Sequence, residues 1–263
     1  MIIPMVRYGA TGGNVLPAYT YTGTTPTFAS DSEGNWELAF QGDCEITFSK
    51  IGAVDIFVVA GGMSGGNGKI TIGLNSNYAR VVGGNGGKGG GRVTSYGVQL
   101  STGQNYTVTV GGSGQSSSAF GVTAESGAGA NGGAGATGDV SNWNGRSLTN
   151  SVPGSEGAYA FGESTSLIGS ISGRMYGAGG GGAGITSGYG GGKAQSAGGS
   201  TGGGAGGRDE TNYRNGVAGA ANTGSGGGGG EATYTNSPYG VISHTGNGGA
   251  GGSGIVIIRN ART

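Results

Sequence analysis

Apolar residues are concentrated in short runs along the chain, and these runs are rich in β-branched and aromatic residues. Several of them alternate apolar with polar positions, which predicts β-strands. The predicted strands are ELAF (37–40), CEITFS (44–49), VDIFVVA (54–60), ARVV (79–82), RVTSYGVQL (92–100), NYTVTV (105–110) and GIVIIRN (254–260). All but the last lie before residue 111, so the apolar framework brackets a long middle segment, and we expect the first and last strands to pair.

A helical pattern is almost absent. No window of 11 residues avoids glycine while keeping apolar residues at i, i+3, i+4 and i+7, and only ESTSLIGSI (163–171) gives a faint helical signal. We therefore expect a fold that is mostly β and irregular, with almost no α-helix.

Composition changes this picture because 70 of the 263 residues are glycine, several times the usual share. Glycine-rich sequence is commonly a flexible linker, since glycine loses much backbone entropy on ordering and buries no side chain. In this chain, however, glycine recurs at every third residue in patches. It does so at Gly129, Gly132, Gly135 and Gly138, at Gly84, Gly87 and Gly90, and at Gly248, Gly251 and Gly254.

A period of three is that of a polyproline-II-type helix. Collagen is excluded because it needs an unbroken Gly-X-Y register and abundant proline, whereas these patches are short and the chain has 5 prolines. A polyproline-II helix makes no hydrogen bonds within itself, so its peptide groups must bond to a neighbouring backbone, which a glycine face allows to approach. The sequence predicts a β framework that supports a packed lattice of glycine-rich polyglycine-II helices, left-handed and threefold.

Charge and cysteine content exclude several classes of function. The 13 Lys and Arg residues balance 13 Asp and Glu residues with no long run of either sign, so nothing indicates binding to nucleic acid or to an anionic membrane. The single cysteine, Cys44, excludes an intrachain disulfide and a cysteine-based zinc cluster. The opening MIIPMVRYG lacks the apolar core of a signal peptide, and no apolar run is long enough to span a membrane. We expect neither a signal peptide nor membrane insertion.

One catalytic motif is spelled by residues 62–66, which read G-x-S-x-G as in a hydrolase nucleophile elbow. Residues 198–202 spell the same motif, which indicates how often it arises by chance in a sequence this rich in glycine and serine. An elbow also needs a following helix and His and acidic partners, but NGKITIG is non-helical and His244 is the only histidine. We expect that the protein is not an enzyme.

Cofactor and metal motifs fail in a similar way. Residues 84–89 spell G-x-G-x-x-G, but no helix follows to hold a pyrophosphate, and Lys88 precedes Gly89 rather than the Ser or Thr of a phosphate loop. The acidic stretch DSEGNWE (31–37) lacks the spacing of an EF-hand and is more typical of a surface turn. We expect no cofactor and no metal.

Polar and aromatic segments interrupt the glycine, and they are rich in Tyr, Asn, Ser, Arg and Trp. These residues supply large amphipathic contacts and adaptable hydrogen bonds, as in antibody loops, and rigid glycine helices would place the loops at a shared end. The candidate receptor-binding residues are Trp143, Tyr159, Phe161, Tyr176, Tyr189, Arg208, Asp209, Asn212, Tyr213, Tyr234, Tyr239 and His244. The alternative is that the aromatic residues flank the glycine helices and form small cores.

The order FVVAGG, NYTVTVGG, SSAFG, long glycine-rich runs with inserts, and a closing GGSGIVIIRN resembles the glycine-rich domains of bacteriophage tail-fibre receptor-binding proteins. It is also similar in style to the tip adhesins of T-even-type long tail fibres. That resemblance implies a polyglycine-II lattice with receptor-binding loops at its distal end. It further implies a tail-fibre tip adhesin of the virion that binds a bacterial surface receptor, either a polysaccharide or an outer-membrane protein, and that attaches to a tail-fibre shaft protein.

The expected organisation follows from these observations. Residues 1–42 form an N-terminal segment and a candidate fibre-docking region, although it does not resemble the attachment domain of the T-even adhesins. Residues 43–263 form the glycine-rich adhesin domain, with a β framework at 43–110 and 254–260 and glycine helices and loops at 111–253. Two other classes stay open: a structural spacer or filament protein with no specific ligand, and an ice-binding protein, whose face would need regular small residues.

Overall fold

The computed structural model describes residues 16–72, 78–141, 145–187, 192–194, 202–207, 215–237 and 240–261. Within these residues the regular structure is β-strand apart from one 3-10 turn at Ala160–Gly162. The expectation of a mostly β and irregular fold is confirmed. Residues 163–171, which carry the faint helical pattern, form turns and irregular backbone. No helix able to span a bilayer occurs among the residues that the structure describes.

The described strands are numbered in chain order. They are β1 (Ala18–Gly23), β2 (Thr27–Ser30), β3 (Trp36–Phe40), β4 (Cys44–Lys50), β5 (Ala53–Val59), β6 (Lys69–Ile72), β7 (Tyr78–Val82), β8 (Arg92–Gln99), β9 (Asn105–Val108), β10 (Ser117–Ala119), β11 (Val122–Ala124), β12 (Thr137–Ser141), β13 (Gly145–Thr149), β14 (Ala158–Tyr159), β15 (Met175–Tyr176), β16 (Ile185–Ser187), β17 (Gly192–Ala194), β18 (Ala232–Ser237), β19 (Gly240–Thr245) and β20 (Ile255–Asn260). Each of the seven strands predicted from the sequence is present.

Two sheets form a sandwich, which we call the framework sandwich. One sheet has the order β2-β3-β20-β5-β8 and the other the order β1-β4-β9. Strand β20 lies between β3 and β5, antiparallel to both, so that Ile257 is opposite Ala39 and Phe57. The first and last predicted strands therefore pair, as expected. All six residues of β20 are buried, which explains the continuous apolar run over its first four residues, 255–258.

Alternate residues of these strands fill the space between the two sheets. The core includes Trp36, Leu38, Phe40, Ile46, Phe48, Val54, Ile56, Val58, Val256 and Ile258. Each large apolar side chain buried here stabilises the fold by roughly 1.5–3 kcal/mol. Strands β1, β2 and β3 belong to this sandwich, which corrects the expected boundary at residue 42. Among the described residues the framework already includes β1 from residue 18 and not only residues from 43 onward, because β3 pairs with β20 and β1 pairs with β4.

Glycine-rich extended segments, which we call the glycine runs, lie outside the strands and connect them. They comprise residues 60–68, 83–91, 128–136, 150–157, 177–184, 202–207, 215–222, 223–231 and 246–254. Peptide N–H groups bond to one neighbour at every third residue: Gly84, Gly87 and Gly90 donate to run 223–231 at 2.8, 2.7 and 2.6 Å. The residues Gly83, Gly86 and Gly89 donate in the same way to run 128–136.

Run 223–231 lies at the centre of this bundle. It donates hydrogen bonds to runs 60–68, 177–184 and 215–222 and accepts them from runs 83–91, 202–207 and 246–254, so six runs surround it. Residues 223–230 are all buried. The bundle mixes parallel and antiparallel neighbours, because run 223–231 is parallel to 177–184 and antiparallel to 83–91. Its buried peptide groups are satisfied by other backbones rather than by water.

Asparagine side chains take the place of a neighbouring run at the edge of the bundle. Asn85 Oδ1 accepts a hydrogen bond from the N–H of Gly135 at 2.9 Å, and Asn67 Oδ1 accepts one from Gly248 at 2.9 Å. Asn215 Oδ1 accepts one from the N–H of Asn247 at 2.8 Å. These three asparagine side chains thus accept hydrogen bonds that a neighbouring run accepts elsewhere in the bundle.

A second pair of sheets, which we call the hairpin cap, lies at the other end of the runs. Its sheets have the orders β13-β12-β7-β6 and β17-β16-β18-β19, and its small core contains Ala79, Val81, Ala136, Ile185, Ala232 and Tyr234. Run 60–68 leads from β5 to β6, run 83–91 from β7 to β8, and run 246–254 from β19 to β20. Each of these runs therefore joins the framework sandwich to the hairpin cap.

Candidate functional site

Strands of the hairpin cap flank most of the polar and aromatic segments in the chain. We call the segments 73–77, 142–144, 188–191, 208–214 and 238–239 the cap loops, and all of them lie outside the described residues. In the chain, four of these segments each lie between two strands of the cap. The fifth, 208–214, lies between runs 202–207 and 215–222, whose adjoining ends are hydrogen-bonded to other runs of the bundle. The described residues on either side of these segments therefore lie at the cap end of the glycine runs, which composition alone did not determine.

Seven of the candidate residues belong to the cap loops. They are Trp143, Tyr189, Arg208, Asp209, Asn212, Tyr213 and Tyr239, and all lie outside the described residues. Their assignment to a receptor-binding surface stays a prediction.

Two further candidates lie within the cap itself. His244 is exposed on β19, opposite Thr233 of β18. Tyr234 has only 3% of its surface exposed and packs in the core of the cap. This corrects its assignment to an exposed loop: alternation along β18 turns Tyr234 inward, where it supports the cap and offers no contact area to a partner.

The remaining candidates, Tyr159, Phe161 and Tyr176, lie at the opposite end of the bundle. Run 150–157 returns the chain from the cap to the framework, and residues 158–176, which we call the covering segment, pack on the outer face of the five-stranded sheet. Tyr176 is fully buried, with its ring 5.4 Å from that of Phe57 in an edge-on arrangement. These three residues are therefore not part of the surface formed by the cap.

Charged side chains hold the covering segment on the sheet. Arg259 on β20 is opposite both Glu37 and Asp55 in the sheet register. Its guanidinium contacts Asp55 Oδ2 at 3.2 Å and Glu163 Oε1 at 3.0 Å, and it lies 4.1 Å from the ring centroid of Phe161. A buried charge is tolerated only when paired and hydrogen-bonded. One feature of the sequence indicated this charged cluster: Asp55 and Arg259 each lie within an otherwise apolar strand.

Glu37 supplies a second attachment for the covering segment. Its Oε2 accepts hydrogen bonds from the Oγ of Ser166 and from the N–H of Leu167, the latter at 3.0 Å. Glu37 itself is buried on β3. The segment is thus fixed by specific polar contacts as well as by apolar packing, which gives it a structural role.

Burial raises the pKa of two groups at the framework end. The pKa of Tyr176 rises to about 12, mainly because its hydroxyl is removed from water; Arg174 lowers this pKa, and Glu37 raises it further. The pKa of the Cys44 thiol rises to about 11, first through burial and then through the charge of Glu45. A thiol with this pKa stays protonated near neutral pH and is a poor nucleophile.

The cap surface also carries exposed aliphatic side chains, which the pattern of aromatic and polar residues did not indicate. Ile72 on β6 and Val241 and Ile242 on β19 each expose more than half of their surface, at 53%, 56% and 52%. Residues 241–245 are all exposed. Strands β6 and β19 contact each other, so the cap presents apolar contact area beside polar groups such as His244.

The catalytic and metal-binding motifs are part of the scaffold. Ser64 lies in run 60–68, with its Oγ 3.3 Å from the Oγ of Ser113. The Asp31 carboxylate accepts hydrogen bonds from the N–H groups of Glu33 and Asn35 in the turn between β2 and β3, and from the Asn35 side chain, which lowers its pKa. Among the described residues no group of three His, Cys, Asp or Glu side chains could hold a metal ion.

Comparison with known proteins gave no relative. No family model matches the chain, and no curated protein or solved structure matches it significantly.

Proposed function

We propose that the protein is a bacteriophage tail-fibre tip adhesin that binds a bacterial surface receptor, either a polysaccharide or an outer-membrane protein, through the cap loops. One observation carries this proposal. The described strands and runs that flank the insertions richest in Tyr, Asn, Arg and Trp lie at the cap end of the bundle, whereas the framework sandwich occupies the other end. A scaffold that gathers variable polar and aromatic segments on a single end is suited to recognition.

We further propose that the glycine runs are polyglycine-II helices packed as a lattice. The support is their hydrogen bonding, which returns to the same neighbour at every third residue, the period of this helix. Six neighbours around run 223–231 fit a hexagonal arrangement. Such a lattice is stiff because successive residues of a central run are fixed to different neighbouring runs, so it holds the strands that flank the cap loops in a constant arrangement.

The mechanism is contact without chemistry. Rigid runs limit the entropy lost by the loops on binding, and several copies on one virion convert weak contacts into avidity. In this proposal the cap faces the bacterium outside the cell, and the framework sandwich attaches to the tail-fibre shaft protein. No enzyme activity and no cofactor are required.

Binding of the purified, fluorescently labelled chain to a panel of bacterial strains tests the proposal. In one variant, residues 208–214 are replaced by a Gly/Ser segment of equal length. The matched control is Tyr96→Ser, which removes a 63% exposed aromatic side chain from β8 of the framework sandwich. We expect strain-selective binding by the wild type and the control, and its loss in the replaced variant.

Two results would contradict the proposal. If the folded protein binds no strain, the structural alternative, a spacer or filament protein with no specific ligand, becomes the better account. If the replaced variant binds as well as the wild type while keeping its stability, the 208–214 loop does not recognise the receptor.

A further inference from the structure

The outer face of the three-stranded sheet carries a flat set of short polar side chains. Two rows cross the three strands: Thr20 is opposite Thr47, which is opposite Asn105, and Thr22 is opposite Glu45, which is opposite Thr107. Their inward neighbours, such as Ile46 and Phe48, fill the framework core. We call the six outward residues the threonine face. All are exposed except Thr47, which is half-buried.

A shallow depression lies within this face. It is lined by Thr20, Tyr21, Thr22, Glu45, Thr47 and Asn105. The lining comes from three neighbouring strands of a hydrogen-bonded sheet, so its side chains are held at fixed spacing. The depression therefore does not depend on any loop of the molecule.

Two hydrogen bonds orient the polar groups inside the depression. The side-chain amide of Asn105 donates from Nδ2 to Glu45 Oε2 at 3.0 Å, and its Oδ1 accepts from Thr47 Oγ1 at 3.3 Å. The amide can therefore present its second N–H as a donor, and Glu45 can present its second oxygen as an acceptor. Thr20 and Thr22 add hydroxyl groups that donate and accept.

The chemistry of this lining selects a class of ligand. It contains no Lys or Arg, so it offers nothing to pair with a phosphate or an acidic molecule. It contains one carboxylate, which is too few for a divalent cation. The lining offers hydrogen-bond donors and acceptors close together around one carboxylate. Adjacent hydroxyl groups of a sugar ring can both donate to and accept from such a set of groups.

We propose that the threonine face binds a neutral saccharide, with one pyranose ring in the depression, its hydroxyl groups bonded to Glu45 and Asn105. The site lies on the framework sandwich, at the opposite end from the cap loops. It is therefore independent of the proposed receptor contact, and it gives the molecule a second place to hold a glycan surface.

Saturation-transfer NMR with the full chain tests this proposal, using methyl glycosides of glucose, galactose, mannose and N-acetylglucosamine at millimolar concentration as probes. We expect transfer from the protein to at least one glycoside. Asn105→Ala removes the oriented amide and is expected to reduce that transfer at least about tenfold. Thr20→Arg covers the depression without removing the Asn105 to Glu45 bond, and it is expected to have the same effect.

The control is Thr123→Ala, at an exposed position of β11 outside the threonine face, which is expected to keep full transfer. Thermal unfolding of each variant checks that the sandwich stays folded. If Asn105→Ala lowers the stability, Thr20→Arg still tests the site. Absence of transfer to every glycoside overturns the proposal. Transfer that is unchanged in both Asn105→Ala and Thr20→Arg also overturns it, because the saccharide would then bind elsewhere.

Discussion

Gly228 and Ala205 lie so close that a Cβ atom on Gly228 would approach the carbonyl oxygen of Ala205 to under 3.0 Å. Both belong to the bundle, Gly228 in the central run and Ala205 in run 202–207. The same holds along the central run, since a Cβ atom on Gly226 or Gly229 would meet the backbone of run 83–91. Glycine at these positions is required by the close approach of backbones on several sides.

Replacement of Gly228 by alanine is expected to be severely destabilising. The added methyl group meets backbone, which cannot move aside as a flexible side chain can, so we expect a loss of more than about 3 kcal/mol in the free energy of unfolding. Gly169→Ala is the control, because no atom lies within 4 Å of a Cβ at that position, and its effect is expected within about 1 kcal/mol. Urea unfolding measures both variants, and equal stability would contradict the packing described.

Asn85 is expected to protect the edge of the bundle. Asn85→Ala removes the acceptor of the Gly135 N–H and is expected to cost about 1 kcal/mol of stability. Hydrogen exchange at the Gly135 amide should accelerate in this variant. Asn85→Asp keeps an acceptor oxygen and should preserve the slow exchange. Unchanged exchange in Asn85→Ala would mean that this hydrogen bond does not protect the edge.

Tyr176→Phe is expected to leave the protein as stable at neutral pH or to stabilise it by up to about 1 kcal/mol. The Tyr176 hydroxyl is buried and has no hydrogen-bond partner among the described residues, whereas the ring packs on Phe57. The substitution removes the hydroxyl and keeps the ring. Chemical unfolding at pH 7 measures the change, and a loss above about 2 kcal/mol would indicate that the hydroxyl has a partner.

Alkaline pH is expected to destabilise the wild type through the same residue. The pKa of Tyr176 is about 12 in the folded protein against an ordinary value of 10.0, so the unfolded chain loses this proton first. The contribution of protonated Tyr176 to the free energy of unfolding is fully present below pH 10 and is lost as the pH rises to 12. This contribution amounts to roughly 3 kcal/mol. Tyr176→Phe should remove the loss of stability that the tyrosine causes between pH 10 and 12. The loss of stability that Cys44 causes between pH 9 and 11 should remain in this variant. An identical pH dependence in the variant would contradict the assignment.

Six of the eight strands of the framework sandwich could be predicted, because each contains a short run rich in apolar residues; β1 and β2 are more polar and were not predicted. In the hairpin cap only β7 could be predicted in this way among the described strands. The cross-strand pairs of the other cap strands are largely polar, such as Thr233 opposite His244 and Asn236 opposite Val241, and their position depends on the runs that carry them. The pairing of the runs is also hidden in the sequence, because glycine has no side chain to encode a neighbour.

The candidate site was partly misassigned for a related reason. The covering segment and the cap loops both carry aromatic and polar residues between glycine-rich stretches, so the sequence pattern does not separate Phe161 and Tyr176 from Tyr189 and Tyr213. The separation comes from run 150–157, which reverses the chain direction and is held by the bond from the Ser155 N–H to the Asn131 carbonyl. Only the hydrogen-bonded bundle determines which segments share an end.

Hydrogen exchange at the amides of Gly226, Gly227, Gly228, Gly229 and Gly230 shows whether this glycine-rich sequence is an ordered scaffold or a flexible linker. Each of these amides donates to a neighbouring run at 2.7–3.0 Å. For an ordered scaffold we expect protection comparable to that of the buried amides of β20 in the same protein. Exchange at the rate of an unstructured glycine-rich chain would contradict it.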